Sequence, residues 1–150
     1  MRGLLASVIA AVIVPACLAG CGSTPTVSYP RYQFACCDAF NPQQIWHPGQ
    51  TLTLSWTSAS AVQTSTAQGE TVTLTATLSG PYPDADTLKS GVSATRTLKA
   101  TPITANDSQP GTFTSSIALP ADLPAGFYNL STANTYASGE TSGATVIQVG

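Results

Sequence analysis

The sequence predicts an all-β chain folded as a two-layer sandwich of about seven short strands. Two stretches alternate apolar and polar residues without a break. Leu52, Leu54 and Trp56 stand against Thr51, Thr53, Ser55 and Thr57; Val72, Leu74, Ala76 and Leu78 stand against Thr71, Thr73, Thr75 and Thr77. A period of two marks a strand with one face buried and the other wet. Pro and Gly, 11 and 12 of them in 150 residues, punctuate the runs at short intervals, as tight turns require. No stretch shows the three-to-four spacing of an amphipathic helix.

In chain order, the first element is a leader. Met1-Arg2-Gly3 is a basic tip, residues 4–14 are apolar except for Ser7, and residues 15–20 form a small-residue exit. This is the layout of a secretory signal. A retained transmembrane helix is the alternative, but the stretch barely reaches the roughly 20 residues a bilayer needs. Pro15 interrupts it, and the next basic residue is Arg31. Leu18-Ala19-Gly20-Cys21 resembles the lipobox of bacterial lipoproteins at all four positions. The resemblance implies a diacylglyceryl thioether on Cys21, cleavage after residues 1–20 and a mature chain that begins at Cys21. Cys17 lacks that context and leaves with the leader. One acyl chain binds a membrane marginally, at about 0.8 kcal/mol per buried methylene, whereas two or three hold almost permanently. The expected partner is thus a membrane, reached through a lipid anchor, and the expected location is the extracytoplasmic face of the cell membrane.

Residues 21–40 read as a lipidated tether and a Cys-pair segment. Small, polar and Pro residues from 22 to 30 disfavour both helix and ladder. Cys36 and Cys37 remain in an oxidising compartment and are too close together to staple distant strands. They form a vicinal disulfide, stay as thiols or pair with another protein; neighbouring Cα atoms lie about 3.8 Å apart, against the usual 4.4–6.8 Å of a disulfide. Tyr29, Tyr32, Phe34 and Phe40 flank them. These aromatics either fold back as a cover or added strand for the sandwich edge, or offer a contact surface for a protein or glycan.

The sandwich itself is expected over residues 41–150. After the Pro48-Gly49 turn comes the first alternating strand, with Trp56 at the centre of the core. The second follows over residues 71–78. Phe113, Ile117 and Leu119 mark one face of a third, and "GFYNLSTANTY" and "GATVIQV" supply two more; fainter strands lie near residues 44–47 and 93–104. "PGQTLTLSWT" resembles the strand B region of immunoglobulin-like domains, and "LPADLPAGFYNL" resembles their approach to strand F. The resemblance implies an immunoglobulin-like fold in which Tyr128 makes a tyrosine corner, its hydroxyl bonded to backbone a few residues earlier. The order of motifs, ending in Tyr136-Ala137-Ser138-Gly139, is also similar to the immunoglobulin-like module of fungal Ser/Thr-rich wall-anchored proteins. The paired cysteines of antibody domains are absent, so no antibody-type function is implied.

Composition restricts the chemistry. Charged residues are 8% of the chain and the formal net charge is -2, which becomes -3 once Arg2 leaves with the leader. No basic cluster survives, which argues against a nucleic-acid partner. His47 is the only histidine and sits before a Pro-Gly turn, a poor setting for a catalytic triad. Seven acids are scattered; only Asp84 and Asp86 lie close together, and residues 88–90 lack the later acid of a calcium loop. No phosphate loop or Cys/His cluster is present, so no cofactor and no metal are expected. The sequence therefore points to a non-catalytic envelope lipoprotein that binds an envelope protein or glycan. The alternatives are a prophage-type surface lipoprotein that excludes superinfecting phage and a wall-polymer hydrolase.

Overall fold

The computed structural model describes residues 25–37, 41, 43–59, 61 and 63–150. Cys17, Cys21, Asp38 and Phe40 lie outside them. Eleven strands and one turn of helix, rather than about seven strands, build the described chain: β1 (Tyr29–Arg31), β2 (Phe34–Cys36), β3 (Ile45–Trp46), β4 (Thr51–Ser58), β5 (Gln63–Ser65), β6 (Thr71–Tyr82), α1 (Ala85–Lys89), β7 (Arg96–Lys99), β8 (Ile103–Asn106), β9 (Thr112–Ala118), β10 (Gly126–Tyr136) and β11 (Gly139–Val149). The extra strands are two to four residues long, too short for alternation to reveal them. Their pairing partners define them instead.

Six strands form one sheet in the order β3-β11-β10-β6-β7, with β8 also on β6. β7 and β8 share one edge of β6 end to end, β7 opposite Thr77 to Gly80 and β8 opposite Thr71 to Leu74. Three strands, β2-β4-β9, form the facing sheet, and β1 pairs with β5 in a small ribbon. Residues 29–36, at the far end of the expected tether, are thus drawn into two of the sheets.

The alternating strands are oriented as their pattern requires. Leu52, Leu54 and Trp56 of β4 and Ile117 of β9 meet Val72, Leu74, Ala76 and Leu78 of β6, Tyr128 and Leu130 of β10, and Ile147 and Val149 of β11 in one core. Each fully buried aliphatic or aromatic side chain contributes on the order of 1.5–3 kcal/mol. The indole N–H of Trp56 donates to Ser115 Oγ at 3.1 Å, so the largest core side chain buries no unsatisfied donor. Gly80 lets β6 pass close to Tyr128, because a Cβ there would lie 2.5 Å from the Tyr128 ring.

The inter-strand loop after β6 holds α1. Asp84 caps it, its carboxylate accepting from the Thr87 N–H at 2.6 Å; that bond holds the Asp84 carboxyl below its usual range. Asp84 and Asp86 thus begin a helical turn.

Among the described residues, two of the open sheet edges belong to β2 and β11. β2 borders β4 alone, and the outer side of β11 meets β3 only at Gln148 and Val149. Both open edges flank the same seam between the sheets.

Candidate functional site

Arg31 and Asp107 organise one end of this seam. The β1–β5 ribbon sets Arg31 opposite Gln63. The Arg31 guanidinium reaches both carboxylate oxygens of Asp107 at 2.6 Å and the Gln68 carbonyl at 2.7 Å. Asp107, in the turn after β8, is 5% exposed. It also accepts from the Glu70 N–H at 2.7 Å, while its backbone binds Tyr32 N–H at 2.7 Å and Glu70 O at 3.1 Å. Through its carboxylate and its backbone, Asp107 thereby ties the end of β1 and the approach to β6 to the end of β8. A buried charge is tolerated on these terms, with its partner and its remaining lone pairs satisfied.

Against this frame lies a cleft of about 440 Å³ whose lining includes Arg31, Gln33, Gln63, Glu70, Tyr136 and Glu140. Glu70 accepts from the Ser138 hydroxyl at 3.0 Å, and Glu140 accepts from the Thr135 hydroxyl at 3.1 Å. The Tyr136 hydroxyl is buried without a hydrogen-bond partner. Burial, and then the negative charges of Asp107 and Glu70, push its ionisation above the ordinary phenol range. Arg31 is balanced by Asp107, so the cleft keeps the two negative charges of Glu70 and Glu140.

A second cavity of about 320 Å³ shares Gln33 and Thr141 with the first and runs between β2 and the β10–β11 hairpin. At its floor Asn134 is 8% exposed. Its amide nitrogen donates to the Phe34 carbonyl at 2.6 Å and to Thr141 Oγ1 at 3.3 Å, tying the facing sheets together. Its Oδ1 has no partner.

The other residues singled out in the sequence lie elsewhere or play structural parts. Phe34 is 3% exposed and packs edge-on against Phe113, with ring centroids 5.7 Å apart, so it belongs to the core and not to an exposed contact surface. Tyr29 and Tyr32 are half-buried. A disulfide joins Cys36 and Cys37 at the end of β2, both against the core. The Tyr128 hydroxyl donates to the Pro124 carbonyl at 2.8 Å. His47 is exposed and its Nδ1 meets the Gly150 carbonyl. Asp122 pairs with Arg96 at 2.8 Å on the surface. Of the seven scattered acids, the fold brings Glu70, Asp107 and Glu140 to one cleft. Their separation in sequence hid this; the one local signal was Glu70, directly before the alternating stretch 71–78.

No protein-family model and no curated protein matches the chain. Among solved structures it is similar to the crystal structure of a DUF4466 family protein from Parabacteroides merdae, with 7% identity, a TM-score of 0.42, and coverage of 81% of this chain and 45% of that one. The chain spans less than half of that protein's length.

Proposed function

We propose that the chain is a lipid-anchored, extracytoplasmic module of the cell envelope that binds an envelope protein or glycan without catalysing a reaction. The observation that carries this reading is the seam cleft: a preorganised frame around Arg31 and Asp107 beside which the exposed Gln33, Gln63 and Glu140 line an open cleft. Binding sites of this kind combine a rigid support with a few convergent polar groups. Asp107 is a poor general acid or base, because both its oxygens are held by Arg31 and one by Glu70 N–H. The lipobox residues ending at Cys21 supply the anchor.

The full chain expressed in bacteria is expected in the membrane fraction, with mass spectrometry finding an acylated Cys21 at the mature N-terminus. An uncut, unmodified N-terminus removes the anchor from the proposal. The purified protein is expected to retain an envelope component that Gln33→Trp, which fills the cleft, no longer retains. Release of soluble sugars from wall polymer by the wild type, abolished in Glu70→Gln, overturns the non-catalytic assignment.

A further inference from the structure

We propose that the groove between β2 and β11 receives an extended, basic segment of a partner polypeptide, which adds as a strand to the outer edge of β11. This deepens the binding reading and rests on it, because it assigns the chemical class of the ligand in the same seam.

The register of β11 shows which groups are open. β3 runs parallel to it at Gln148 and Val149, and the Gly150 N–H donates outward to Trp46 O at 2.9 Å. Strand alternation then directs the N–H and C=O of Ser142, Ala144 and Val146 to that same outer side. Thr141, Gly143 and Thr145 turn theirs towards Asn134, Thr132 and Leu130 of β10. Among the described residues no strand covers the outer side before Gln148. The edge accepts a strand for two residues and then continues empty.

That edge lacks the usual protection. Residues 139–145 are all exposed, contain no Pro or Lys, and carry one charge, at Glu140. Natural sheets block such edges with lysine, proline, bulges or cover. A row of outward N–H and C=O groups fits the backbone of an extended polypeptide, which repeats the complementary pattern every second residue.

Two further observations narrow the occupant. Asn134 Oδ1, on a side chain more than nine-tenths buried, has no partner and belongs to the lining of the groove, so it calls for an N–H or O–H donor. At the Gly139 end Glu70 and Glu140 leave two uncompensated negative charges, which select a lysine or arginine on the incoming segment.

The test uses the full chain and a displayed library of random linear 12-residue peptides. Selected peptides are expected to alternate β-branched residues and to carry Lys or Arg. On binding, they are expected to slow hydrogen exchange of Ser142, Ala144 and Val146 at least tenfold. Ala144→Pro removes one outward N–H and leaves the pairing with Ser131 in place; it is expected to weaken binding about tenfold. N-methylation of alternate peptide amides gives the same loss on unaltered protein, so a misfolded variant does not decide the result. Glu140→Gln is expected to reduce the preference for basic peptides. No binders, protection outside residues 139–147, or binders indifferent to both backbone blocks overturn strand addition. Wall oligosaccharides protecting these amides in place of peptides overturn the polypeptide occupant but leave the binding reading intact. If neither peptide nor oligosaccharide binds, that reading falls too.

Discussion

Tyr128 and Tyr136 stand eight positions apart on β10 and differ in one bond. The Tyr128 hydroxyl reaches the Pro124 carbonyl at 2.8 Å, whereas the Tyr136 hydroxyl is buried without a partner. A made hydrogen bond is worth about 1 kcal/mol net, and an unmade buried one is a liability. Urea denaturation is therefore expected to find Tyr128→Phe destabilised by about 1 kcal/mol and Tyr136→Phe neutral or more stable. Burial is the main cause that raises both phenols above their ordinary range. The folded chain keeps its protons where the unfolded chain, titrating near pH 10, releases them. The associated stability is complete below pH 10 and is lost as pH rises through the folded values, so the double Phe variant is expected to show a flatter alkaline decline than the wild type. Asp107 matters more than either tyrosine. Asp107→Ala strands the part-buried Arg31 and frees the Glu70 N–H, a loss expected to cost about 3 kcal/mol in the same measurement.

At the scale of elements, legibility in the sequence tracked strand length. β4 and β6 are long enough for Leu52, Leu54 and Trp56, and Val72 to Leu78, to declare a buried face. β1, β2, β5, β7 and β8 hold three or four residues each, and only distant partners make them strands. The cleft was hidden for the same reason: Arg31, Glu70, Asp107 and Glu140 become neighbours only after β1, β6, β8 and β11 are placed. Gly80 shows how closely two elements can depend on a missing atom. A Cβ there would lie 2.5 Å from the Tyr128 ring and 2.9 Å from the Phe127 carbonyl, whereas at Gly49, with φ of +83°, it would meet nothing within 4 Å. Gly80→Ala is expected to cost about 2–3 kcal/mol through overpacking, and Gly49→Ala about 1 kcal/mol through backbone conformation alone. Thermal midpoints for the two variants check the order; a larger loss at Gly49 contradicts the packing argument.

Across the whole molecule, stability is unevenly shared between the centre and the seam. β6 lies between β10 and the pair β7 and β8, and β10 between β6 and β11, with their inward residues in the core. β2 has one strand neighbour, and its other ties include Phe34 and Cys36 against the core and the Asn134 bond to the Phe34 carbonyl, a contact spanning 100 positions of sequence. Contacts so distant along the chain return little until the rest has folded. The seam strands should therefore open below the free energy of global unfolding, as lightly buried elements do. Native-state hydrogen exchange in rising urea is expected to show β2 and β5 amides exchanging with weak denaturant dependence, while β6 and β10 amides follow global unfolding. Asn134→Ala should lower the opening energy of β2 and leave that of β6 to change only with overall stability. Merging of all amides into one class would mean a rigid seam. Separate classes would mean that the wall of the groove opens while the core stays folded, and a bound segment would then protect β2 together with β11.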